Sequence, residues 1–177
     1  EDVSAVLFDE PLTVIDPQMK WELRTQLKQL HSQFGHTMIY VTHDQLEAVT
    51  MADKMAVMSG GFLQQYAAPS EVFDHPVNPF VASFVGSPTM SLVPLTAVSR
   101  GTEVVLSSKE GWEIALSDAN ARKALRSTTP SVVLGARHST IRLHKSEQPG
   151  AVRVRVYTVE PTGDITFVQV YLDDAIV

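Results

Sequence analysis

The sequence predicts an α/β protein in which a segment of doubly wound parallel sheet is followed by an antiparallel β module. Three observations predict it. Short continuous apolar runs at 5–8 and 37–42 suit strands buried on both faces of a parallel sheet. Leu23, Leu27, Leu30 and Phe34 lie between them at helical spacing, as the crossover of a βαβ unit requires. Late in the chain the period changes to two: Val152, Val154 and Val156 alternate with Arg153 and Arg155, and Val168, Val170 and Leu172 repeat the pattern. The change of pattern places a boundary near Gly86 to Pro94 and gives two domains, 1–88 and 89–177.

Each element has a local reason. Ala5 to Phe8 form the first strand. Asp16-Pro17 reads as an N-cap and first helical residue, and Gly35 stops that helix. Thr37 to Thr42 form the second strand. Asp44 with Glu47 has the spacing of a capping box, opening a short helix through Ala52. Lys54 to Met58 and Phe62 to Tyr66 flank Ser59-Gly60-Gly61, which predicts a hairpin. Two short helices follow, one near Ser70 to Phe73 and one opened by Asn78-Pro79 and closed by Gly86. In the distal module a helix is expected from about Asp118 to Arg126, and a turn at Pro161-Thr162-Gly163-Asp164.

Composition narrows the function classes. With 177 residues, 44% of them hydrophobic, the chain can fill the core of one medium domain or two small ones. A net charge of −6 argues against nucleic acid as a partner, which would need a basic face. The absence of cysteine removes disulfides, zinc–thiolate sites and thiol nucleophiles, and fits a reducing compartment. The longest apolar stretches, such as Phe80 to Gly86, are too short to cross a bilayer, so any link to a membrane is expected through partner proteins, not by direct insertion.

The chemistry concentrates where the two parallel strands end. The first runs into Asp9-Glu10-Pro11 and the second into Thr42-His43-Asp44. One carboxylate can hold Mg²⁺ while its neighbour orients a water, and a histidine at the adjacent strand end can stand beside the phosphate that the water attacks. Glycoside hydrolysis, the other use of paired acids, needs carboxyls on opposite sides of a bond, which adjacent residues do not provide. No serine sits in a G-x-S-x-G elbow, and His31, His36, His75, His138 and His144 lack metal-ligand spacing. Asp16 serves first as a helix cap; Arg153 and Arg155 read as the solvated face of a strand. A G-x-x-x-x-G-K-[ST] loop does not occur in these residues, so the expectation is the rear half of a nucleotide-hydrolysing site, in a piece of an ATPase cut at both ends.

These residues resemble a known family. Val6-Leu7-Phe8-Asp9-Glu10-Pro11-Leu12 is similar to the Walker B segment of ATP-binding-cassette (ABC) ATPases, Leu12 to Asp16 to their D-loop, and Val41-Thr42-His43-Asp44-Gln45 to their H-loop. Glu47 to Asp53, Met58-Ser59-Gly60-Gly61, Pro69 to Phe73 and Phe80 to Pro88 resemble the carbohydrate-importer branch, the maltose and glycerol-3-phosphate type. Gly135-Ala136-Arg137 and Val159 to Gly163 look like pieces of its OB-like (TOBE-type) regulatory module.

The resemblance implies a C-terminal portion of such a subunit, without Walker A, Q-loop or signature motif. It implies that Asp9 holds Mg²⁺ through water and that Glu10 is general base or water orienter. It implies that His43 contacts the ATP γ-phosphate and that Asp16 meets a second ATPase subunit. It further implies membrane-spanning permease subunits, an indirect link to a solute-binding protein, and a place on the cytoplasmic face of a bacterial membrane. Two departures stand out. The D-loop reads Leu-Thr-Val-Ile-Asp where Leu-Ser-Asn-Leu-Asp is usual, and Arg137-His138-Ser139 replaces the usual Arg-Pro-Glu. The other reading is a β module that binds a small anion or sugar and regulates without catalysing. Either way, a sheet without its early strands is expected to expose apolar surface and to self-associate.

Overall fold

A computed structural model describes residues 4–101 and 103–177, and the chain divides into two compact units, Glu1–Gly86 and Ser87–Val177. The first unit opens with β1 (Ala5–Asp9), α1 (Pro17–Phe34) and β2 (Thr37–Val41). The strands pair in parallel from Ala5↔Thr37 to Asp9↔Val41, so β1–α1–β2 is one βαβ crossover. The helix starts where Asp16 Oδ1 accepts from the Met19 N–H (3.1 Å) and Pro17 follows. It ends at Gly35, whose φ of +65° is the left-handed conformation that glycine adopts without strain.

Next come α2 (Gln45–Met51), the antiparallel hairpin β3 (Met55–Ser59) and β4 (Phe62–Ala67), α3 (Pro69–Asp74) and α4 (Pro79–Phe84). The hairpin turns through Gly60 and Gly61, both at positive φ. Met55, Val57 and Ala67 of the hairpin close on Val72 of α3, and on Val81 and Val85, to make the core of this unit. Polar side chains tie the connecting loops to it. Buried Gln65 donates to the His75 carbonyl (3.1 Å) and accepts from Val77 N–H (3.0 Å). Gln45 at the start of α2 donates to the Phe84 carbonyl and accepts from Gly86 N–H (2.7 Å).

Two expectations fail here. The parallel strands are not buried on both faces: Val6, Phe8, Met38 and Tyr40 are half-buried, while Leu7, Ile39 and Val41 on the other face are exposed. Two strands and one crossover helix can cover only one face of a sheet. The capping box is also only half made. Asp44 Oδ1 accepts from the N–H groups of Leu46 and Glu47, but the Asp44 N–H goes to Thr42 Oγ1, and Glu47 turns into the interior.

In the second unit β5 (Ser91–Arg100), β6 (Glu103–Ser107), β7 (Glu113–Ala115) and β8 (Ser131–Ala136) form a four-stranded antiparallel sheet in the order β7-β6-β5-β8. α5 (Asp118–Leu125) lies between β7 and β8 in sequence. Beyond a 3₁₀ turn at His138–Thr140, β9 (Arg155–Pro161), β10 (Thr166–Leu172) and β11 (Ala175–Ile176) form a second sheet in the order β11-β10-β9. The described strands therefore make two open sheets and no closed barrel. The alternation from Val152 yields a strand only from Arg155, and Val156 is exposed. Val93, Leu95 and Leu106 form the core, with Trp112, Leu134, Leu172 and Val177 packed on it. Asp173 pins the second sheet by accepting from the Lys109 N–H (3.0 Å) and Trp112 Nε1–H (3.1 Å).

Candidate functional site

Parallel pairing decides what meets at the strand ends. Asp9 stands opposite Val41, so the residues that follow each strand emerge at one edge of the sheet. Glu10 continues the pairing, its N–H donating to the Val41 carbonyl (2.8 Å). It does so at a φ of +45°, a left-handed conformation that costs a residue with a Cβ about 1–2 kcal/mol. Strain of this kind collects where a side chain must point in one direction. Here that direction is His43: its Nδ1 lies 3.0 Å from Glu10 Oε2. A carboxylate only accepts, so Nδ1 carries the proton in this contact. The Thr13 hydroxyl donates to the same oxygen at 3.0 Å.

The couple is open to solvent, with 65% of the His43 side chain and 44% of the Glu10 side chain exposed. The hydrogen bond from His43, and then that from Thr13, hold the Glu10 carboxyl below its ordinary value against a small opposing effect of burial. Glu10 is therefore ionised at neutral pH. A carboxylate so stabilised is a weak proton acceptor and a good water orienter.

Asp9, one residue earlier, is exposed on the uncovered side of β1. Among the described residues no group of three or more His, Asp or Glu side chains could cage a metal ion. A single exposed carboxylate instead suits Mg²⁺, a hard cation that keeps its waters and shares its remaining positions with substrate phosphates. Asp16 is not brought to the couple; its carboxylate caps α1. In the turn between, Val14 is 98% exposed.

Behind the couple lies a buried acid that sequence reasoning took for a capping residue. Glu47 is 2% exposed. Its Oε2 accepts from Thr42 Oγ1 (2.7 Å) and from the Tyr40 hydroxyl (3.1 Å), and Lys20 Nζ stands 3.8 Å from its Oε1. Burial, and then the neighbouring Glu47 charge, push the Tyr40 hydroxyl well above its usual value. Sequence holds only part of this cluster: Tyr40 in β2 and Thr42 just past it are two residues apart, and Glu47 sits in the first turn of the next helix, but Lys20 comes from α1, which spacing does not place.

In the distal unit Arg155 is not merely solvated, since its guanidinium lies 4.3 Å from the centre of the Tyr171 ring. A hollow of about 330 Å³ lies between α5 and the four-stranded sheet, with Leu106, Leu116 and Val132 at its floor and Asn120 and Lys123 on its helical side. No described helix is long and apolar enough to cross a membrane.

Known proteins are similar to this chain along nearly its whole length. A protein of Brucella abortus named for ATP binding is 43% identical over 167 residues, which is 93% of this chain and 44% of that protein. The sn-glycerol-3-phosphate import ATP-binding protein UgpC 1 of Rhizobium johnstonii is 40% identical over 157 residues, 89% of this chain and 41% of its own length. An uncharacterised ABC transporter ATP-binding protein of Sinorhizobium fredii is 39% identical over 165 residues, 93% of this chain and 42% of its own. The chain spans less than half the length of these relatives. No protein-family model matches it. The chain is homologous to part of several proteins named for ATP binding in sn-glycerol-3-phosphate import.

Proposed function

We propose that this homologue of importer ATP-binding proteins carries the water-activating portion of an ABC ATPase subunit, which uses Mg·ATP to drive the uptake of a solute. The observation that carries the reading is the contact between Glu10 and His43 at the shared edge of a parallel strand pair, with Asp9 beside it. Glu10, kept ionised, orients a water by accepting its hydrogen bond, and Thr13 and His43 hold the carboxylate in place. With Nδ1–H donated to Glu10, His43 would donate from Nε2 to a terminal phosphate oxygen as the imidazolium, with both ring nitrogens carrying protons. Asp9 would hold Mg²⁺, which supplies neutralisation of charge on the phosphates.

The surroundings support the same reading. The polyphosphate cradle, normally a glycine-rich loop with its lysine, is supplied in this proposal from sequence outside these residues. Exposed Val14, beside Asp16, gives residues 12–16 a surface on which a second ATPase subunit can close. Permease subunits would connect the dimer to the inner face of the bacterial membrane, and a solute-binding protein would act through them. Residues 1–88 form the ATPase part in this proposal, and residues 89–177 a regulatory module of TOBE type. The names of several relatives point to sn-glycerol-3-phosphate or a similar small polar solute.

The test is Mg·ATP hydrolysis by the full-length product of the gene that carries these residues. His43→Ala is expected to lower turnover about a hundredfold or more. An unchanged rate would remove this site from the reaction.

A further inference from the structure

The contact between Glu10 and His43 has a second fastening behind it. Thr42 and Asp44, the two neighbours of His43, are both fixed. The Thr42 hydroxyl donates to buried Glu47 (2.7 Å) and accepts from the Asp44 N–H (3.0 Å). On the far side Lys20, in the first turns of α1, places its Nζ 3.8 Å from both Glu47 Oε1 and Asp44 Oδ2. The segment from Glu10 into α1 and the segment from Thr42 into α2 are thus joined twice. One join is at the surface, through Glu10, Thr13 and His43; the other is in the interior, through Lys20 and Glu47.

We propose that Glu47, acting through Thr42 and Lys20, is a positioning residue that sets where the His43 imidazole stands against Glu10. A carboxylate this deeply buried survives only when its oxygens are bonded, and an apolar side chain would fill the same space without that demand. What the acid adds is direction. Of its two hydroxyl donors Tyr40 belongs to β2 and Thr42 follows it directly, its own backbone belongs to α2, and its cation comes from α1. The strand-to-helix turn that carries His43 is therefore held from three elements. That this placement serves catalysis rests on the reading under Proposed function; that Glu47 sets the placement does not.

The experiment uses Thr42→Val, which keeps the shape and removes the hydroxyl, and Thr42→Ser, which restores the hydroxyl. In the 177-residue chain, the nitrogen resonance of His43 Nδ1 reports its hydrogen bond to Glu10, calibrated with Glu10→Ala. Thr42→Val is expected to move that resonance toward the Glu10→Ala position, and Thr42→Ser to leave it near wild type. In the full-length gene product, Thr42→Val is expected to lower kcat roughly ten- to a hundredfold with KM for ATP little changed, and Thr42→Ser to recover most of it. Lys20→Met, which removes the cation beside Glu47 and keeps both hydroxyl bonds to it, is the second variant if Thr42→Val does not fold, and is expected to act in the same direction. A His43 resonance unmoved in the variant that folds overturns the proposal. A moved resonance with unchanged kcat retains the positioning role and overturns the catalytic use of the Glu10–His43 contact instead.

Discussion

The parallel pair that carries the site and the hairpin that follows it are both built from apolar strands, yet only the hairpin is packed. Met55 and Val57 of β3 and Ala67 of β4 are buried against Val72, Val81 and Val85. β1, α1 and β2 contain no fully buried residue, and Leu7 is 73% exposed. The hairpin is served by α3 and α4, which arrive next in sequence and cap it, whereas the parallel pair has one crossover helix for two faces. An apolar run therefore records a capacity for burial, and whether that capacity is used depends on which elements are at hand. The edge that carries Glu10 and His43 stands on the part of this unit that supplies its own packing least.

That contrast can be broken first by unfolding in urea. Val72→Ala is expected to cost ~2 kcal/mol, because a fully buried valine loses its transfer free energy and leaves a cavity. Leu7→Ala is expected to cost under about 0.5 kcal/mol, as exposed positions do. Equal losses would mean that the face of Leu7 is covered in solution. A subtler effect concerns association. Leu7, Ile39 and Val41 form one uncovered apolar face, so light scattering is expected to show an average mass that rises with concentration, and Leu7→Lys with Ile39→Lys to suppress the rise. A wild-type chain that stays monomeric throughout would contradict this.

The smallest effect is in acid. The folded-state carboxyl of Glu10 lies below its ordinary value of 4.5, so its contribution to stability is present above that value and fades as pH falls through the lower folded value. The difference in unfolding midpoint between wild type and Glu10→Gln is expected to shrink from neutral pH into that acidic window. A difference that stays constant would show that the His43 and Thr13 contacts do not stabilise the carboxylate.

Much of this was legible where a residue acts on its own neighbours. Asp16-Pro17 and Gly35 bound α1, Asn78-Pro79 opens α4 with Asn78 Oδ1 accepting from Val81 N–H (2.9 Å), and the glycine pair turns the hairpin. The meeting of Glu10 and His43 was legible because parallel strands end at one edge. What could not be read was anything set by a third element. The spacing of Asp44 and Glu47 fits a capping box, but Lys20 from α1 and the hydroxyls of Tyr40 and Thr42 draw Glu47 inward instead. The apolar pattern of β1 and β2 likewise says nothing about whether a second layer is present. In the distal unit, Val152 to Val156 alternate as a strand should, but pairing with β10 begins only at Arg155.

The most direct measurement compares wild type with Glu10→Gln in the full-length gene product, by calorimetric binding of Mg·ATP and by the rate of phosphate release. The account predicts that binding survives while turnover falls by about a hundredfold or more, because the side chain that orients the water has lost its charge. Turnover equal to wild type would contradict it.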